Sequence, residues 1–423
     1  MTAQSAPLDM LGRAQLTAVA EARSRLLSHI GEIKPGVQRL PLEKCLDRVC
    51  ASQVVSPEDL PPTDRSTMDG FAVIAADTFG ASQSMPGYLD IRGEVVMGEV
   101  PAGKISRGTC FKIPTGGLLP AGADAVVMHE HTVPVDSEVV EIIKPVGSGA
   151  NLIKQGDDIR KGAVAVERGQ LLRPQELGLL AGLGISEVEV YAPLEIGVIS
   201  TGDEIVDYRE IVSPGKIRDI NSIVLSSLVR RCGALVHDYG IVSDDENTFF
   251  SIVEEAVTEN NLVLFSGGSS VGMRDLGEQA IERIGNPGIL VHGVSLKPGK
   301  PVIIGLCDGT PVFGLPGHPV SAMVCFDFFV RPAIEILSGI TPVSTINQPS
   351  VQARLKRNIN SAAGRLDVVR VQLELEGDVL QARPILGKSG AISTLSQAHG
   401  YFLIDEDSQG VSSDDTVDVY LYP

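Results

Sequence analysis

The sequence predicts a multidomain fold of α/β plus β class: a central α/β domain with a parallel-containing sheet, a β-rich insert and an all-β C-terminal domain. Three observations carry this expectation. At 423 residues the chain is longer than one hydrophobic core fills, since domains run to roughly 100–200 residues. Residues 194–336 alternate apolar runs with amphipathic stretches, the pattern of strand–helix–strand units. Residues 51–149, and again the segment after Pro342, show short apolar runs broken by glycine and proline.

Taken in order, residues 12–30 place Leu16, Val19, Leu26, Leu27 and Ile30 at near-helical spacing, which predicts an amphipathic helix. Residues 51–149 form the insert, with "GTCFKIPTGGLLPAGADAVVM" its clearest strand-and-turn stretch. Helix signals return over 150–190, where "RPQELGLLAGLGI" opens on Arg-Pro and closes on glycine, so residues 1–50 with 150–190 are expected to form one discontinuous domain. Residues 191–340 are the α/β domain and 341–423 the C-terminal β domain, as in "LDVVRVQLELEG". No repeat of 20 to 50 residues is present.

Composition excludes several functions. With 43% hydrophobic and 21% charged residues the chain is an ordinary globular protein, and a net charge of −18 argues against a nucleic-acid partner. The run "PVSAMVCFDFFVRPAIEIL" is interrupted by Asp327, Arg331, Pro332 and Glu335, so it predicts a core helix and no membrane span. The N-terminus lacks a cationic start followed by an apolar stretch, and the six cysteines form no CxxC pair; both lead to the expectation of a cytoplasmic protein with free thiols.

Candidate chemistry collects at the ends of the predicted strands, where open α/β sheets bind ligands. After Phe265 the chain reads "SGGSSVGMRD". Gly267, Gly268, Ser269 and Ser270 would let backbone N–H groups approach an anion, and they serve a tight strand-to-helix turn equally well. Met273 and Arg274 stand where a Walker loop needs Lys and then Ser or Thr, and no G-x-G-x-x-G is present. Asp69, Glu204, Asp244 and Asp275 form a set of loop acids that suits Mg²⁺, although any one of them is also an ordinary helix cap. In "SLKPGKP" the ammonium groups of Lys297 and Lys300 flank a Pro-Gly turn as an oxyanion clamp or as two solvated lysines. In "FGLPGHPVSA" Pro316 and Pro319 surround a helix start whose first-turn N–H groups can face an anion. His129 and His131 project from one strand face in "VVMHEH", but no third ligand accompanies them, so a structural pair is expected. A G-x-S-x-G nucleophile elbow is missing.

The clusters "TMDGFAV", "IPTGGLLPAGADAVVMHE", "STGDE", "GKIRDINS", "SGGSSVGMRD", "LKPGKP" and "GLPGHPVSA", in this order over nearly the whole chain, resemble the MoeA family, the molybdopterin molybdenumtransferases. The resemblance implies four domains, the α/β one being the molybdopterin-binding domain, and a homodimer whose cleft takes residues from both subunits. It also implies molybdenum cofactor biosynthesis: molybdenum from molybdate enters adenylylated molybdopterin with Mg²⁺-dependent release of AMP. Other proteins of molybdenum cofactor biosynthesis would be the further partners. By motif, Asp69, Thr115, Glu204, Asp244, Asp275, Lys297 and Arg370 fall on the family's functional positions, with Glu204, Asp244 and Asp275 on the metal. Three positions depart from the pattern: Gly293 where many members place Lys or Arg, His318 in place of Asn, and Ala391 near a common serine, for which Ser389 is the substitute. A non-catalytic pterin-binding scaffold and a tungsten-inserting paralogue are the alternatives.

Overall fold

The computed structural model describes residues 16–30, 35–267, 271–341 and 348–422, except for the side chains of 271–275. Its centre is a six-stranded sheet in the order Leu235–Val242, Glu195–Thr201, Leu262–Gly267, Thr310–Leu315, Ile303–Cys307 and Gly288–His292. The first four strands run parallel, and the last two add antiparallel to one edge. Helices pack on both faces. That is why Ile196, Val198, Ile199 and Leu262–Phe265 are apolar without alternation: both sides of these strands are buried.

From Glu195–Thr201 the chain crosses first to Leu235–Val242 on one side and then returns to Leu262–Gly267 on the other. This reversal opens a crevice at the carboxyl ends of the strands. Phe265, near the end of its strand, sits in a slot between two glycines. A Cβ on either Gly277 or Gly314 would meet the Phe265 ring at 2.7 Å, so no larger residue fits beside it.

The helix Val19–Ile30 differs from expectation in its location. Its stripe of Val19, Ala22, Leu26 and Ile30 is buried with Leu194, Val291, Ala333 and Leu337 in the core of the α/β domain. The 3–4 spacing specified a face to be buried, but not which core would bury it. Residues 40–54 do pack with 165–190, around Cys45, Cys50, Leu172, Leu180 and Val190.

Outgoing and returning chain segments pair as short antiparallel ribbons: Val37–Pro41 with Glu187–Tyr191, Val54–Val55 with Val164–Val166, and Arg65–Ser66 with Leu152–Ile153. Beyond them lies the insert, a six-stranded sheet with core clusters around Val127 and around Val126. His129 and His131 do not share a strand face. They occupy a 3₁₀ turn, because the strand Ala125–Met128 and the strand Thr132–Pro134 lie at opposite edges of the sheet and the chain must leave one to reach the other.

The run from Pro319 to Leu337 is helical, with a π-helical segment at Phe326–Val330, and it is buried in the central core. Asp327 and Arg331 pair at 2.6 Å within it. No described helix is long and apolar enough to cross a membrane. All six cysteines are free. The C-terminal strands Leu366–Glu376, Val379–Pro384, Ser350–Leu355, Thr416–Leu421 and Gly400–Ile404 close on themselves through the pairing of the first with the last, so this barrel has no free edge.

Candidate active site: a basic cavity between two domains

A cavity of about 980 Å³ lies where the carboxyl ends of Leu262–Gly267 and Thr310–Leu315 meet the C-terminal barrel. The strand pair Leu296–Lys297 with Leu366–Asp367 joins the two domains beside it. Six of the residues singled out in the sequence line this cavity: Gly267, Lys297, Lys300, Pro316, Arg370 and Ser389. Arg357, Arg365 and Lys388 are also on the wall, and Asp367 is its acid. These four are not singled out in the sequence, because only the docking of the barrel brings them to the wall. His318, marked in the sequence only as a departure, is there too.

The charges have unequal environments. The Asp367 side chain is 5% exposed and accepts from Lys297 Nζ at 3.1 Å and Arg365 Nε at 2.8 Å. Arg370 is 7% exposed, and its Nε and Nη1 have no hydrogen-bond partner. Its Nη2 donates to the Gly387 carbonyl at 3.4 Å. Burial therefore lowers the Arg370 pKa, with Tyr422 opposing. An orphaned guanidinium in a protein interior is a costly feature unless a ligand supplies the acceptor.

Other predicted residues lie elsewhere. Asp69 and Thr115 are in the insert, at the ends of paired strands in which Gly70 faces Ile113. That register places the Asp69 carboxylate to accept from the Thr115 N–H at 2.7 Å and its hydroxyl at 3.0 Å. The two bonds hold the carboxyl below its ordinary pKa. Glu204 follows the strand Glu195–Thr201 and Asp244 follows its neighbour Leu235–Val242, so both stand at the crevice, but neither lines the cavity. Asp244 accepts from the Thr201 hydroxyl at 3.0 Å, while the adjacent Asp245 caps the next helix by accepting from Thr248 N–H at 2.9 Å.

Pro319 is buried at its helix start. The first-turn amide of Val320 is given to the Ser389 carbonyl at 3.2 Å. Gly268, Ser269 and Ser270 lie outside the described residues. Asp275 falls in the helix Val271–Ile284, and its side chain is likewise outside them. Among the described residues no three His, Cys, Asp or Glu side chains converge as a metal site. Glu204 and Asp244 offer the hard oxygens that Mg²⁺ prefers, and one or two carboxylates with substrate phosphates are enough for that ion.

Comparison with known proteins agrees with this architecture domain by domain. Residues 17–184 match the MoeA N-terminal region (domain I and II), residues 197–336 a probable molybdopterin binding domain, and residues 352–422 the MoeA C-terminal region (domain IV). A putative molybdopterin biosynthesis protein of Methanocaldococcus jannaschii is 36% identical over 94% of this chain and 95% of its own length. A molybdopterin molybdenumtransferase of Haemophilus influenzae is 32% identical over 94% and 97%. A crystal structure of a molybdopterin biosynthesis MoeA protein from Pyrococcus horikoshii OT3 superposes with a TM-score of 0.81 at 31% identity, covering 96% of this chain and all 100% of that one. Sequence, fold and domain order together place this chain in the MoeA family.

Proposed function

We propose that this protein is a transferase of molybdenum cofactor biosynthesis that inserts molybdenum from molybdate into adenylylated molybdopterin, with Mg²⁺-dependent release of AMP. The observation that carries the reading is Arg370, a buried guanidinium with two unpartnered nitrogens on the wall of a cavity that also holds Lys297, Lys300, Arg357, Arg365 and Lys388. A buried guanidinium with open donors is completed by an anion, and molybdate is a compact tetrahedral dianion.

In this reading Lys297 and Arg370 hold the incoming oxyanion, and Ser389 donates a further hydrogen bond. The loop after Phe265, from Gly267 to Ser270, takes the phosphate and pterin end through backbone amides. The acids Glu204, Asp244 and Asp275 hold Mg²⁺, with Asp69 and Thr115 completing the cleft from a second subunit. When bound, Mg²⁺ neutralises charge on the phosphate oxygens of the linkage to be cleaved. The protein's own part is to bring both anions together and keep them oriented.

The test is AMP release from adenylylated molybdopterin as a function of molybdate concentration. Wild type should saturate with molybdate, and Arg370→Ala should need far more of it. An unchanged molybdate dependence in that variant would refute the assignment of the cavity. A parallel series in tungstate separates a molybdenum enzyme from a tungsten-inserting paralogue, and no AMP release with either oxyanion is the outcome for a scaffold.

A further inference from the structure

His318 and Ser389 are 71 positions apart and belong to different domains, yet Ser389 Oγ lies 2.8 Å from His318 Nδ1. Both line the basic cavity. The Ser389 main chain is held as well, through its carbonyl and the Val320 N–H at 3.2 Å. A Cβ at Gly390 would lie 3.6 Å from His318 Cδ2, so the imidazole edge rests on the turn that carries Ser389. The same turn presents the Gly387 carbonyl to Arg370 and places Lys388 on the wall.

A hydroxyl has one proton, and a neutral imidazole has one N–H. Two arrangements therefore satisfy the pair without a change of charge. If Ser389 donates to Nδ1, only oxygen lone pairs remain for the cavity, and these repel an oxyanion. If Nδ1–H donates to Oγ, the hydroxyl proton is free to point at the anion. We propose that His318 is a positioning residue that holds the Ser389 hydroxyl as a hydrogen-bond donor to the oxyanion in the basic cavity. This rests on the function proposed above, and an oxyanion in the cavity selects the second arrangement.

The test is molybdate binding to the full-length protein by titration calorimetry, without pterin. His318→Ala and Ser389→Ala should each weaken binding about tenfold, the effect of losing one oriented hydrogen bond to a charged group. The double variant should be no weaker than either single one, because the two side chains act as a unit. His318→Asn, whose amide N–H falls near the Nδ1 position, should restore affinity to within about twofold, whereas His318→Gln should not. A purely structural histidine would not produce that split. Wild-type affinity in His318→Ala, or losses that multiply in the double variant, would overturn the proposal. Arg370→Ala serves as the reference: unchanged affinity there sinks the oxyanion reading and the pair with it, while weakened binding there with His318→Ala unaffected sinks the pair alone.

Discussion

Lys297 and Asp367 are register partners in parallel strands from two domains, and the Lys297 ammonium lies 3.1 Å from the Asp367 carboxylate. The lysine side chain is 55% exposed and the aspartate 5%. Their loss should therefore be felt differently. Lys297→Ala leaves Asp367 bonded to Arg365, so stability should change by no more than about 1 kcal/mol. The molybdate requirement for AMP release should rise roughly 10- to 100-fold, as expected for a lost charged hydrogen bond. Asp367→Asn should instead lower stability by on the order of 3 kcal/mol, because it removes the buried negative charge that two cations share and turns one acceptor oxygen into a donor. Urea unfolding of both variants, alongside the AMP assay, checks the division; equal destabilisation would contradict it.

Arg370 should trade stability for function. Replacing a buried, half-unsatisfied guanidinium with methionine removes the desolvation cost and keeps much of the volume, so Arg370→Met is expected to raise the unfolding free energy by about 1–3 kcal/mol. The same variant should bind molybdate at least tenfold more weakly. A variant that is both less stable and unimpaired in binding would show that the guanidinium has a structural partner instead of a ligand.

Asp69 and Thr115 do not line the cavity that Arg370 does. If the cleft is shared between two subunits, a protein carrying Asp69→Ala and one carrying Arg370→Ala, mixed at a molybdate concentration too low for Arg370→Ala to turn over, should regain activity, since a heterodimer contains one intact cleft. Recovery should approach about a quarter of wild type when subunits exchange randomly, half of the molecules being heterodimers with one of two sites intact. Absence of recovery after exchange is verified by mass spectrometry would place the whole site within one chain.

Glu176 ties the helix Pro174–Gly182 to the residue before it. Its carboxylate accepts from Arg173 Nη2 at 2.6 Å and from the Arg173 N–H at 3.0 Å. The hydrogen bonds from Arg173 hold its pKa down at about 2, well below the ordinary glutamate range. A depressed acid stabilises the fold above its unfolded pKa and loses that contribution as pH falls through the folded one. Glu176→Gln should thus cost on the order of 2 kcal/mol, constant from neutral pH down to about 5 and shrinking from there toward pH 2. Urea titrations of the two proteins across that range test the sign; a gap that widens on acidification would reverse it.

Much of this molecule is written locally. A six-residue apolar run such as Leu262–Gly267 specifies a strand buried on both faces, and Asp245 beside Glu246 specifies a helix start, because the physical signal lies within a few residues. The strand ends that hold Glu204, Asp244 and Gly267 follow from the same alternation, as does the outgoing and returning path around the insert. The order of motifs was enough to indicate the family. Tertiary structure decided the rest. The helix Val19–Ile30 advertised an apolar stripe but not its partner, and it docked on the α/β core. Arg370 was marked in the sequence only by its motif, and it took the folded barrel to bury it and leave its Nε and Nη1 without partners. Lys297 met Asp367 across 70 positions and His318 met Ser389 across 71, contacts that no periodicity encodes. They exist because two domains are packed against each other, and the energy that packs them comes from apolar surface buried around Leu296, Cys325, Val368 and Tyr401, not from the polar groups the packing brings together.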